Sequence, residues 1–413
     1  MCLFIILNNF AYDRQFLSKL NLALLSFLNL MLLRSSSFRI HFSLIRKYGY
    51  PCEIHRVYTE DKYVLELHRI PHGRGNSSVG PRPVVFLQHG LLSSSAEWVL
   101  MTPGQGFGNS YILADAGYDV WIGNARGNTY SRNHVLMKPT SSAFWKFSWH
   151  EIGYYDIPAM IDYVIKETGV PKLQYVGFSQ GTTVFWVMTS TRPEYNEKIL
   201  AMHALAPVAY LGNLKSPLIR LRSFLVSFQT VFKILGKSEI FSNGPINDLA
   251  GQKLCTEEAI TQALCTNLLF LICGYNEDQL NATMLPVVLG HTPAGASTRQ
   301  IIHFGQVYKS GKFLQFDYGW FKNKLRYGTF TPPPYNLAAI RTPIFLHYGD
   351  NDWLATPMDV DKLAKSIPSI VGKYRVPMAK FNHLDFVFAI NAKELIYDRV
   401  LNIMDIELVS YHA

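Results

Sequence analysis

Residues 173–188 run Leu173-Gln174-Tyr175-Val176-Gly177-Phe178-Ser179-Gln180-Gly181-Thr182-Thr183-Val184-Phe185-Trp186-Val187-Met188. Leu173 to Val176 has the pattern of a short buried strand, Gly177 to Gly181 is a G-x-S-x-G turn, and Thr182 to Met188 continues as a helix. A strand that turns straight into a helix leaves little room beside its central residue, and the two glycines supply that room. Such a turn is strained and lifts the Ser179 hydroxyl clear of the strand end. The N-terminus of the following helix favours negative charge developing nearby. The five-residue pattern alone is weak; a strand before it and a helix after it make it specific.

The same alternation extends in both directions. Val84 to Leu87 is an apolar run ending in Gln88-His89-Gly90, and Tyr118 to Ile122 is another ending in Gly123-Asn124. Ile157, Met160, Ile161, Val164 and Ile165 recur at helical spacing, which predicts a helix between Asp156 and Gly169 with Asp156 as its cap and Pro158 in its first turn. Ile344 to Tyr348 reads as a late strand punctuated by Gly349. Short strands with little alternation, separated by helices, predict an α/β fold with a mostly parallel central sheet flanked by helices. Residues 210–334 break the rhythm, with an apolar helix-like run from Leu218 to Leu235, then three cysteines, then a Gly-, Thr- and aromatic-rich tract. This stretch reads as a mainly helical cap inserted between two halves of the core, 41–209 and 335–413.

A serine hydroxyl needs a base, and the base needs an acid to orient it. On such a sheet these follow in the order Ser, acid, His. Asp352 follows the late strand in Gly349-Asp350-Asn351-Asp352, and His383 follows the next predicted strand in Asn382-His383-Leu384-Asp385-Phe386. Asp350 competes for the acid position. Asp352 is preferred because Gly349 finishes the strand and the loop needs a few residues to turn inward. The oxyanion requires backbone donors, one from Gln180 after the nucleophile and one from Leu91 in the loop after the first strand. His89, beside that loop, reads as a packed or hydrogen-bonded residue rather than a second base.

The chain has 413 residues, 48% hydrophobic, 14% aromatic and 17% charged, which excludes a disordered protein. Its net charge of +9 is concentrated at the start: Arg14, Lys19, Arg34, Arg39, Arg46 and Lys47 stand against Asp13 alone. The remainder carries mixed charge with no basic cluster, which argues against nucleic acid as a partner. Cys2, Cys52, Cys255, Cys265 and Cys273 fit no zinc template. One local disulfide among the last three with a free thiol left over, or buried unpaired cysteines, both fit. Asn76-Ser77-Ser78 and Asn281-Ala282-Thr283 are acceptor patterns for N-glycosylation in a secreted chain. The apolar run Leu20 to Leu33, flanked by Arg14, Lys19 and Arg34, makes roughly the first 40 residues a signal peptide, a signal-anchor or a misassigned start.

Five motifs in order carry a resemblance: Leu87-Gln88-His89-Gly90-Leu91-Leu92, Gly123-Asn124-Ala125-Arg126-Gly127-Asn128-Thr129-Tyr130-Ser131, Gly177-Phe178-Ser179-Gln180-Gly181-Thr182, Asn351-Asp352-Trp353-Leu354-Ala355 and Asn382-His383-Leu384-Asp385-Phe386. From about Tyr48 to its C-terminus the chain resembles the acid lipase family, which includes gastric lipase, lysosomal acid lipase and secreted insect relatives. The resemblance implies an α/β-hydrolase core with a cap and lid, a Ser179–Asp352–His383 triad and an oxyanion hole from Leu91 and Gln180. It further implies hydrolysis of triacylglycerols or cholesteryl esters through an acyl-enzyme, without metal or other cofactor, on lipid at an oil–water or membrane interface. A secreted or lysosomal enzyme is implied, anchored to a membrane if the N-terminal segment is retained. Cys255 with Cys265 resembles the family's disulfide pair, leaving Cys273 free, and Asn281 matches a glycosylation position. The chain departs from the pattern at Lys62, where the family usually has glycine, at His150, where it often has an acid, and slightly in the Cys255–Cys265 spacing. Two other readings compete: a soluble carboxylesterase on short-chain esters, and a silent lipid-binding scaffold, which should lack a triad member or oxyanion donor. Oligomeric state is not legible in the sequence.

Overall fold

The computed structural model describes residues 44–75, 80–102, 109–217, 219–220, 238–240 and 269–412. The N-terminal segment, Asn76, Cys255, Cys265 and nearly all of Leu218 to Leu235 lie outside the described residues. Eight strands form the path of the main sheet: β1 (Glu53–Tyr58), β2 (Tyr63–Ile70), β3 (Val84–Gln88), β4 (Asp119–Ile122), β5 (Leu173–Phe178), β6 (Ile199–Leu205), β7 (Ile344–Tyr348) and β8 (Ile370–Arg375). Their spatial order is β1-β2-β4-β3-β5-β6-β7-β8, with Asn133–His134 pairing off β2 as a ninth, short strand. The β1–β2 and β2–β4 pairs are antiparallel, and every pair from β4 through β8 is parallel. Every residue of β3, β4 and β5 is buried, as expected of strands covered on both faces. β8 closes the edge with alternating half-buried and exposed positions.

The helices used below are α1 (Asn109–Asp115), α2 (Ile157–Thr168), α3 (Gln180–Thr191), α4 (Thr298–Ser310), α5 (Trp320–Tyr327), α6 (Pro357–Ser366) and α7 (Asp398–His412). The direction in which successive strands are added to the sheet reverses at β3: β4 lies on one side of it and β5 on the other. The loops leaving the carboxyl ends of β3 and β5 therefore face each other over a switch point, where open α/β sheets form their sites. Gln88 at the end of β3 pairs with Gly177 at the end of β5.

The expectation that Asp156 caps its helix is corrected. The helical run begins at Ser148, whose side chain and that of Glu151 form a capping box. It passes through a π-turn at Ile152–Asp156 before α2, and Asp156 makes no side-chain cap. The widened turn suits Pro158, which has no N–H to give the ladder. The Asp156 carboxylate instead accepts the Arg126 backbone N–H (3.0 Å) and its Nε–H (2.8 Å). The helix ends where read, at Gly169 with φ +72°.

Candidate active site

Ser179 stands between β5 and α3 with φ +51° and ψ −115°, a conformation side chains rarely adopt. A Cβ on Gly181 would lie 2.2 Å from the carbonyl oxygen of Gln88, and one on Gly177 would lie 2.8 Å from the backbone of Gly181. Glycine is therefore required on both sides of the serine. The Ser179 N–H donates to Leu205 O on the neighbouring strand at 3.0 Å, which pins the turn to the sheet.

His383 and Asp352 reach this serine from the loops after β8 and β7. His383 Nε2 is 2.8 Å from Ser179 Oγ, and His383 Nδ1 is 2.8 Å from Asp352 Oδ2. An ionised carboxylate can only accept, so Nδ1 carries the proton and Nε2 presents its lone pair to the serine hydroxyl. Asp352 is fully buried, and its other oxygen accepts the N–H groups of Leu354 (2.9 Å) and Ala355 (2.7 Å). Asp350 points elsewhere and pairs with Arg375 at 2.5 Å.

A brace behind these loops was invisible in the sequence. The carbonyl of Cys273 accepts both the His383 and the Trp353 N–H, each at 3.3 Å. Gly274, at φ +110°, packs so closely that a Cβ would sit 2.1 Å from Asn351 O. Asn276 Nδ2 donates to Asp385 at 2.6 Å, and the Asn382 side chain donates to Gly274 O at 2.9 Å. One short segment, 273–276, thus fixes both the acid and the base loop. Glycine at 274 was the only sequence signal. Cys273 is a free, buried thiol.

The loop after β3 lies against Ser179: a Cβ on Gly90 would meet the Phe178 ring at 3.1 Å and Ser179 Cβ at 3.3 Å. Leu91, next in that loop, is half-buried, and Gln180 is buried. His89 has both ring nitrogens engaged, Nδ1 with Gly90 O (2.7 Å) and Nε2 with the Ala125 N–H (3.1 Å) and Asn128 Nδ2 (3.2 Å). Burial pushes its pKa down to about 4. His89 is therefore a support of the loop, as read. The Gly123 to Ser131 motif supplies much of that support: Asn124 Oδ1 accepts the Ser95 N–H at 2.9 Å, and Arg126 pairs with both Asp61 (2.5 Å) and Asp156 (2.6 Å).

The two departures also have places. Lys62 holds φ +75° in the turn from β1 to β2, the backbone state in which glycine is unstrained. His150 Nδ1 lies 2.7 Å from the Tyr335 hydroxyl. Asn281 is half-buried and caps the short turn that follows it. Among the described residues no group of three or more His, Cys, Asp or Glu is arranged to hold a metal, and no helix is long and apolar enough to cross a membrane.

A largely parallel sheet with a hydrogen-bonded Ser-His-Asp set at its switch point defines the α/β-hydrolase class. A family model described as alpha/beta hydrolase fold matches residues 83–389, and one described as partial alpha/beta-hydrolase lipase region matches residues 42–102. The chain is 45% identical to Lipase 3 of Drosophila melanogaster over 86% of its own length and 90% of that protein's. It is 41% identical to human gastric triacylglycerol lipase over 87% of its length and 89% of that protein's. A solved monoglyceride lipase from Saccharomyces cerevisiae shares the fold, with a TM-score of 0.52 at 16% identity over 87% of this chain and 98% of that one. The chain belongs to the α/β-hydrolase lipase family and is a carboxylic ester hydrolase.

Proposed function

We propose that Ser179, His383 and Asp352 are the catalytic triad of a lipase that cleaves triacylglycerols or cholesteryl esters through an acyl-enzyme. His383 Nε2 takes the proton of Ser179 Oγ as that oxygen attacks the ester carbonyl. Asp352 holds the ring in the required tautomer and stabilises the imidazolium. The Gln180 and Leu91 N–H groups hold the oxyanion. The imidazolium then protonates the departing alcohol, and water attacks the acyl-serine with His383 again as base, releasing the fatty acid. No metal or cofactor enters this cycle. The observation that carries the reading is the continuous line Asp352–His383–Ser179, with 2.8 Å at each contact.

Residues 210–334 act in this reading as a cap that shields the acyl chain from water, with the triacylglycerol named for the gastric relatives as one expected substrate. Secretion or lysosomal delivery fits the apolar N-terminal run and the Asn281 pattern, with Cys255 and Cys265 paired on the way. The test is hydrolysis of emulsified long-chain triacylglycerol, cholesteryl ester and a short soluble ester between pH 4 and 8, with Ser179→Ala as control. Turnover of the emulsions that Ser179→Ala abolishes is expected. Turnover of the soluble ester alone would make the protein a carboxylesterase. A folded chain that turns over none would be a silent lipid-binding scaffold.

A further inference from the structure

Helix α5 is amphipathic in the wrong sense. Its buried residue is a polar one, Asn323, at 1% exposure. Asn323 Nδ2 donates to Asp317 Oδ1 (2.8 Å) and Phe330 O (3.0 Å), and its Oδ1 accepts the Tyr318 N–H (2.9 Å). The Tyr327 hydroxyl adds a bond to Phe316 O at 2.9 Å. The helix is thus tethered by hydrogen bonds while its apolar side chains face outward. Trp320, Phe321 and Leu325, with Phe330 just beyond the helix, are 69%, 58%, 74% and 57% exposed. A surface helix ordinarily buries such residues. They form one patch: the Trp320 ring lies 5.8 Å from that of Phe321 and 6.2 Å from that of Phe330, and Phe321 and Leu325 are helix-face neighbours.

Lys322, Lys324 and Arg326 are exposed between these aromatics. No Asp or Glu occurs between Asp317 and Asp350, and Asp317 is already taken by Asn323 and by the Gly319 N–H at 2.8 Å. Lys324 Nζ donates to Gly328 O at 2.8 Å, and Glu151 is the acid from another element that acts on Tyr318 and Tyr327. Among the described residues none of the three cations forms an ion pair, and the patch is net positive. The segment before it contacts α4, the helix that also reaches the turn at Ser179. Phe316 and Tyr318 lie under the Arg299 guanidinium at 5.8 and 5.9 Å, and the next residue, Gln300, is bonded to Gln180 beside Ser179.

Exposed Trp, Phe and Leu interleaved with Lys and Arg on a short helix is the chemistry of a segment that lies in the headgroup layer of a membrane. Apolar area alone would fit many surfaces; the net positive charge selects an anionic one. We propose that the α5 face, Trp320, Phe321, Leu325 and Phe330 with Lys322 and Lys324, docks the enzyme on phospholipid surfaces that contain anionic lipid. The proposal rests on the reading of the chain as a lipase working at a lipid–water interface.

The test is cosedimentation of the full chain, carrying Ser179→Ala so that lipid is not consumed, with phosphatidylcholine vesicles and with vesicles of phosphatidylcholine and phosphatidylserine at 3:1. Trp320→Ser/Phe321→Ser and Lys322→Glu/Lys324→Glu are each added to that background. Binding to the mixed vesicles is expected to weaken at least about tenfold in each double variant. Binding of the parent to phosphatidylcholine alone should already be weaker. The same double variants with Ser179 intact should turn over a dispersed short-chain ester at the parent rate, which also shows that they fold. Mixed-vesicle binding unchanged by both pairs, or absent in the parent, overturns the proposal even if ester turnover is normal. Vesicle binding by a parent that turns over no ester, lost in double variants whose circular dichroism matches the parent's, would leave the docking face standing and overturn the lipase reading instead.

Discussion

Gln180 Nε2 donates to Gln300 Oε1 at 2.7 Å, with both side chains buried. This one bond ties the residue after Ser179 to α4, in the segment read as a cap. The loop after β3 is tied the same way, since Leu92 O accepts the Ala294 N–H at 2.6 Å and Ala294 O accepts the Thr129 N–H at 2.8 Å. Gln180 Oε1 has no hydrogen-bond partner among the described residues, so within them the side chain is held by Gln300. Gln300→Leu is expected to leave a buried amide unpaired, at a cost of about 1–3 kcal/mol. The kcat for a short soluble ester should fall while the triad remains intact. An unchanged kcat would show that the nucleophile turn is set without this contact.

Lys62 occupies a left-handed position at φ +75° with its N–H donated to Thr59 O at 3.0 Å. A side chain there costs roughly 1 kcal/mol relative to glycine, partly offset by the greater freedom of glycine in the unfolded chain. Lys62→Gly should raise stability by up to about 0.6 kcal/mol in urea unfolding and leave ester turnover unaltered. Destabilisation would mean that the lysine side chain contributes a contact outweighing the strain.

Glu97 is buried against the oxyanion loop, and burial pushes its carboxyl up to about 8. It accepts the Gly90 N–H at 3.4 Å, and Ser93 and Tyr397 are its other polar neighbours. The folded state holds a proton that the unfolded chain releases near pH 4.5. The stability this proton contributes is therefore full below about 4.5 and lost as pH rises toward 8. Glu97→Gln keeps the acceptor without the charge. Its Tm should match the parent at pH 4.5 and exceed it at pH 8; equal values at both would refute a neutral buried Glu97.

His203 behaves oppositely. Its ring stacks on Phe345 with centroids 5.3 Å apart, neither nitrogen has a hydrogen-bond partner among the described residues, and burial pushes its pKa down to about 3. The neutral ring contributes fully above about pH 6.5, and that contribution is lost as pH falls toward 3. At pH 5 the loss is about 2 kcal/mol. His203→Phe should raise Tm at pH 5 but change it little at pH 7.5. A variant that shifts Tm equally at both would place the effect in packing rather than protonation.

The parts legible in the sequence were those where local chemistry and tertiary structure agree. The turn around Ser179 needs glycines whatever surrounds it, and the largely apolar runs of β3, β4 and β5 announce a sheet covered on both faces. Strand ends then place Asp352 and His383 at one edge. Asp156 misled because its spacing suits a helix cap, while the residue that claims it, Arg126, is 30 positions away. The brace through Cys273 works by a backbone carbonyl, which side-chain identity does not reveal. The outward apolar face of α5 was also hidden, because its composition reads as an ordinary helix until Asn323 is seen to be the buried residue.

The central claim is that Ser179 is a nucleophile activated by His383 and oriented by Asp352. The most direct measurement is mass-spectrometric mapping of the residue modified by an activated phosphonate ester, with its rate, in the parent, Ser179→Ala and Asp352→Asn proteins. A single adduct on Ser179 is predicted, absent in Ser179→Ala and formed about 10⁴-fold more slowly in Asp352→Asn. An adduct on another residue, or a rate indifferent to Asp352, would contradict the account.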